Sequence, residues 1–281
     1  MLKKVLRYDI KYMRRSWTVF AAIALLISFV SSLLIRHSMY IEEADEGALQ
    51  GVAALEIMLA MLGIMFVLAT GVILIVRIFT RSVGNFFSDA GYLTFTLPVS
   101  RKTLYHAKIL NGLIWILLQG ILMLLCLLFF VTIPSSSEPW AISLDFFKNI
   151  FTAVRMSFER EPLWFTVIAL ELITLWFIMP AFETLFIHYC VIRGGTGTGR
   201  GKAGAATGIF LGSIFGVFFA FVLFVSTSAE GILYLTSDLD ASLNSLVTVL
   251  FLLLLICLFG GLGTFFYFSS IDRLENKLNL S

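Results

Sequence analysis

Residues 109–133 read ILNGLIWILLQGILMLLCLLFFVTI, an unbroken apolar run with no Asp, Glu, Lys or Arg. A helix rises about 1.5 Å per residue and the hydrocarbon core of a bilayer is about 30 Å thick, so about 20 such residues cross it. Five more runs fit the same template: Trp17 to Ile35, Leu55 to Val76, Leu163 to Ile187, Ala205 to Ser226 and Leu246 to Ser269. Composition agrees, since 14% of the 281 residues are charged and 59% are apolar, where a soluble domain has about a quarter charged. The expected fold is all-α: a polytopic membrane protein with six transmembrane helices, forming a single transmembrane domain over 1–281 in a lipid bilayer.

The cations set the orientation, because Lys and Arg resist translocation. With the N-terminus inside, Lys3, Lys4, Arg7, Lys11, Arg14 and Arg15 precede the first span. Arg77, Arg81, Arg101, Lys102 and Lys108 then lie between the second and third, Arg193, Arg200 and Lys202 between the fourth and fifth, and Arg273 and Lys277 after the sixth. That places 16 of 20 basic residues inside and leaves Arg36, Lys148, Arg155 and Arg160 outside. Both termini are predicted to be cytoplasmic. The acids lean the other way, with EEADE at 42–46 and Glu230, Asp238 and Asp240 in outer loops.

Immediately before the opening run stands SDAGYLTFTLPVSRKTLYHAK, residues 88–108. Gly91 and Pro98 supply turn chemistry, aromatic and β-branched residues stand between them, and Pro98 disfavours helix at the residue before it. The second span is expected to continue inward through RIFTRSVGNFFSDA and break at Gly91. Ser100 is a good N-cap for a helix that opens with RKT and runs into the third span. A structured cytoplasmic elbow within 77–108 follows from these signals.

At the N-terminus, Leu2, Val5, Leu6, Ile10, Met13 and Trp17 share one helical face opposite Lys3, Lys4, Arg7, Lys11 and Arg14. This predicts an amphipathic interfacial helix over 1–16, cationic toward anionic headgroups; a charge cluster that only sets topology is the alternative. An uncleaved first span is expected, because its apolar run is too long for a signal peptide and no Ala-x-Ala-like site follows. In the outer connection, 134–162, Leu144, Phe147, Phe151, Val154 and Phe158 recur at helical spacing. They predict an amphipathic helix, either on the outer leaflet or packed on neighbouring spans.

The fourth run holds Glu171, Pro180 and Glu183. Intramembrane acids are functional candidates, but twelve residues separate these two, roughly 18 Å along a helix and about 120° around it. They cannot form a dyad. Glu183 lies near the inner interface, and the deeper Glu171 is the translocation-pathway candidate, with a structural hydrogen bond as the alternative. The segment RGGTGTGRGKAGAATG at 193–208 lacks the Ser or Thr that a phosphate-binding loop needs after Gly201-Lys202, and Thr196 stands where its first glycine belongs. A flexible basic loop is expected there. Gly204, Gly208, Gly212 and Gly216 recur every four residues, a helix-packing row for a neighbouring span or a second subunit. Cys126, Cys190 and Cys257 lie in or beside apolar runs and predict no disulfide. No metal-ligand spacing and no nucleophile-base pair is visible, so no catalytic residue, metal site or nucleic-acid partner is expected.

The basic amphipathic N-terminus, the six runs and above all NFFSDAGYLTFTLPVSRKTLYHAK at 85–108 resemble the permease subunits of ABC-2-type (type V exporter-like) transporters from Gram-positive bacteria. The likeness spans the whole chain in topology and about 25 residues in motif. It implies a multi-pass protein of a bacterial plasma membrane, paired with a second permease subunit and with separate ATPase subunits that hold the ATP and magnesium, so that this chain binds no cofactor. The coupling residues would be Phe87, Asp89, Gly91, Tyr92, Leu93, Phe95, Leu97, Pro98 and Arg101; family members often carry an acid where Ala90 stands. The function implied is ATP-driven movement, by export, of a peptide, lipid, glycan or drug. Two other readings stay open: a secondary transporter or channel using Glu171, and a non-transporting immunity or sensor protein.

Overall fold

The structure, a computed structural model, describes residues 2–43, 50–87, 100–134, 144–195, 206–211 and 241–276. Of these residues 98% are helical and none is in a strand. The helices are α1 (Leu2–Glu43), α2 (Gln50–Phe87), α3 (Arg101–Thr132), α4 (Leu144–Arg160), α5 (Pro162–Gly195) and α6 (Ala241–Asn276). All but α4 are long and apolar enough to cross a membrane, the pattern of a multi-pass membrane protein. The predicted run Ala205 to Ser226 falls mostly outside the described residues; its residues 206–211 are helical.

The helices outrun the bilayer. The 42 residues of α1 and 38 of α2 correspond to about 63 and 57 Å, against a core of about 30 Å. The amphipathic segment expected over 1–16 is continuous with the first span in one helix, since no Gly or Pro stands between Leu2 and Glu43 to break it. As expected, α2 runs on past Arg77, here as far as Phe87. Ser100 caps α3: its Oγ accepts from the Thr103 amide at 3.3 Å and lies 2.8 Å from Thr103 Oγ1.

The chain divides into two compact units. One comprises Leu6–Arg77 and Ile114–Glu159. Its core joins Ala21 and Ala24 of α1, Val67 of α2, and Leu122 and Cys126 of α3, flanked by Trp17, Leu25 and Met123. The buried positions Ala21, Ala24, Ser28, Ser31 and Ser38 on α1, and Ala53, Ala60, Val67 and Leu74 on α2, follow a seven-residue repeat. Small residues on such a seam let helices approach closely where lipid gives no hydrophobic drive. A Cβ on Gly63 would strike the Ser31 side chain. The buried hydroxyls bond within their own helices, Ser28 Oγ donating to Leu25 O (2.9 Å), Ser32 Oγ to Ser28 O (2.6 Å) and Ser38 Oγ to Ile35 O (2.7 Å). One polar chain links three helices: Trp17 Nε1 donates to Gln119 Oε1 at 3.1 Å, and Gln119 Nε2 to Thr70 Oγ1 at 2.9 Å. At the far end Glu56 meets His37 Nδ1 at 2.8 Å.

The other unit comprises Met1–Val5, Ile78–Leu113 and Arg160–Ser281. Its helices α5 and α6 pack along each other. Phe182, Phe186 and Tyr189 of α5 meet Phe259, Phe265 and Phe266 of α6 through ring pairs 4.8–6.3 Å apart. Phe210 stacks on Phe79 at 4.5 Å and touches Phe186. Gly194 allows a close crossing, for a Cβ there would collide with the backbone of Ala206. The first part of the segment expected as a flexible loop, Arg193–Gly195, is thus the end of α5. The three cysteines are free thiols.

Candidate functional site

The elbow expected at 88–99 lies outside the described residues, and with it Asp89, Gly91, Tyr92, Leu93, Phe95, Leu97 and Pro98. Its two anchors are described. On α2, Ile78, Phe79, Ser82, Asn85 and Phe86 form one buried face at helical spacing, and Phe87 is the last helical residue. On α3, Leu104, Tyr105, Ala107, Lys108, Asn111 and Gly112 are buried. Apolar residues alone would fill this end of the bundle; instead it is rich in polar side chains.

His188 of α5 organises them. A carbonyl can only accept, so the 2.8 Å contact to Thr184 O makes Nδ1 the donor and turns Nε2 toward Ser82 Oγ of α2, 3.3 Å away. The Tyr105 ring, fully buried, stands edge-on to the His188 ring at 6.2 Å. Gly112 makes room for this arrangement: a Cβ there would lie 2.7 Å from Thr184 Cγ2 and 3.6 Å from His188 Cε1. Thr184 is itself held, its Oγ1 donating to Pro180 O at 2.8 Å. A Ser–His pair can begin a nucleophilic dyad. Here the single Ser82 hydroxyl proton has two acceptors, Ile78 O at 2.8 Å and His188 Nε2 at 3.3 Å, and both residues are at least 97% buried, so the pair serves as an interhelical contact, a brace, rather than an activated nucleophile.

A second set of contacts ties the start of α3 to the end of α6. Arg101 Nη1 donates to Leu274 O at 2.9 Å, capping one of the carbonyls left open in the last turn of α6. Lys102 Nζ pairs with Glu275 at 3.0 Å. His106 Nε2 lies 2.9 Å from Tyr267 Oη, with the rings stacked at an interplanar angle of 7°. Three grips within six residues make this end of α3 move with α6. Among the predicted coupling residues Arg101 therefore has a task inside the chain.

Glu171 stands alone. From Pro162 to Glu183 it is the only buried side chain, and its Oε2 is sealed from solvent with no hydrogen-bond partner. Of the predicted glycine row, Gly208 is described, and a Cβ added to it meets nothing within 4 Å; Gly204, Gly212 and Gly216 lie outside the described residues. No family model, curated protein or solved structure matches the chain.

The brace residues Ser82, Tyr105, His106, Gly112, Thr184, His188 and Tyr267 escape a reading of the sequence alone. A partial signal exists in Thr184 and His188, two polar groups one turn apart at the end of an apolar run. Their partners come from α2, α3 and α6, and no spacing reveals that.

Proposed function

We propose that this chain is the membrane-spanning permease subunit of an ATP-driven transporter of the ABC-2 type. The observation that supports it most is the fastening of α3. Its first turn, which directly follows the 88–99 connection, is gripped by α6 through Arg101, Lys102 and His106, and its second turn meets α5 through Tyr105 and His188. A displacement applied to the connection would thus reach α5 and α6 together, as a lever arm requires. In this reading separate ATPase subunits bind ATP and magnesium and grip Gly91 to Pro98. A second permease subunit, a copy or a different chain, completes the pathway in a bacterial plasma membrane. The cargo classes are peptide, lipid, glycan or drug, moved by export, and Glu171 faces the pathway.

The test is association. Tyr92→Glu with Leu93→Glu should abolish recovery of the ATPase subunit with the chain in mild detergent while leaving insertion intact. Unchanged recovery, or a wild-type chain that repeatedly purifies without any ATPase, defeats the proposal. One observation favours a second reading: an unpartnered carboxyl in a spanning helix suits ion-coupled transport or a channel. Transport driven by an ion gradient without ATP would establish that reading instead.

A further inference from the structure

The helix α4 carries an exposed apolar strip. Phe147, Ile150, Phe151, Val154 and Phe158 share one helical face at i, i+3, i+4, i+7 and i+11, and each is between 44% and 70% exposed. Every residue from Phe147 to Arg160 is exposed. Length and direction matter next. The strip runs from Phe147 to Phe158, about 17 Å along the axis, so a helix projecting into water would leave all of it wet.

What covers the strip follows from where α4 stands and from its charges. A single residue, Glu161, separates it from α5, which is apolar enough to cross the bilayer and begins at Pro162. The last turn of α4 is therefore at the membrane boundary. Lys148 and Arg155, seven residues apart, run along one edge of the strip beside Phe151, where their stems can lie on apolar surface and their heads reach phosphate depth. Glu159 is neutralised by Arg155 at 2.7 Å. Asn149 and Thr152 lie on the opposite side and face water.

We infer that α4 is an interfacial helix that binds phospholipid directly. Phe151 lies among the upper acyl carbons, with Lys148 and Arg155 at headgroup depth. The inference stands apart from the transport reading and holds whether or not an ATPase partner exists.

The experiment uses the full chain with Cys126, Cys190 and Cys257 replaced, reconstituted in vesicles of equal parts phosphatidylglycerol and phosphatidylcholine. A single cysteine at Phe151→Cys or Asn149→Cys carries an environment-sensitive nitrobenzoxadiazole label. The label at 151 should emit to the blue of that at 149. It should lose at least half its intensity to lipids brominated near the glycerol, while aqueous iodide quenches 149 several-fold more than 151. Adding Lys148→Glu and Arg155→Glu should reduce the bromine quenching at 151. Equal iodide quenching at both sites would show a strip in water and overturn the inference. Protection of 151 from both quenchers would show it covered by protein, a second copy foremost, and would overturn it as well.

Discussion

Gly112 offers the sharpest test of the brace. Gly112→Ala would set a methyl 2.7 Å from Thr184 Cγ2, about 1 Å inside the optimum carbon–carbon separation of about 3.5–4.0 Å. Thr184 yields poorly, because it is β-branched and its hydroxyl is bonded to Pro180 O. Overpacking of this kind costs about 1–3 kcal/mol, and the better helix propensity of Ala returns at most about 1 kcal/mol. The net loss expected is about 1–2 kcal/mol, which at roughly 2–4 °C per kcal/mol lowers the apparent melting midpoint by about 2–8 °C. Thr184→Ser removes the offending methyl and keeps the hydroxyl bond, so Gly112→Ala with Thr184→Ser should melt no lower than Thr184→Ser alone. Thermal unfolding of the four proteins of this cycle in one detergent reads the coupling directly. If Gly112→Ala melts at or above wild type, or the double variant keeps the full loss, the contact does not have the tightness described and the brace argument fails.

Other expectations rest on contacts of different strength. Gln119→Leu strands the Trp17 indole N–H in an apolar seam and should destabilise by roughly 1–2 kcal/mol; a melting midpoint within 1 °C of wild type, below the roughly 2–4 °C that 1 kcal/mol moves it, would show that the polar chain of Trp17, Gln119 and Thr70 is dispensable. Glu275→Gln, by contrast, breaks an ion pair whose side chains are 52% and 44% exposed and should cost less than about 1 kcal/mol; a larger loss than for Gln119→Leu would reverse the ranking. Glu171→Gln keeps the shape of the side chain and should leave the melting midpoint unchanged while reducing transport; normal transport in that variant removes Glu171 from the pathway.

Much of the membrane architecture was legible because hydropathy is local. The runs at 17–35, 55–76, 163–187 and 246–269 each lie within a helix the structure contains, the run at 109–133 overshoots its helix by one residue, and the Ser100 cap needed nothing beyond its neighbours. The strip on α4 was visible in its periodicity, and the structure adds that its residues are exposed. Two features were hidden for physical reasons. The continuity of α1 cannot be read from a change of composition near Trp17, since charged and apolar residues are equally compatible with helix when no Gly or Pro intervenes. The brace depends on how four helices are rotated about their axes, and that rotation decides whether His188 meets Ser82 or lipid. Gly112 drew no notice because a single glycine in a spanning helix is ordinary until its neighbour is known. In Gly194 the close approach was masked by the glycines around it.

The seam between α1 and α2 bears on how the chain is made. Ser28, Ser32 and Ser38 each donate to a carbonyl of their own helix, so these hydroxyls are satisfied as donors without a partner from α2. Gln119 is different, because its amide finds Trp17 and Thr70 only after α3 has arrived. A lesion at Gln119 is therefore expected to weaken the joining of α3 to the first pair rather than the pairing of α1 with α2.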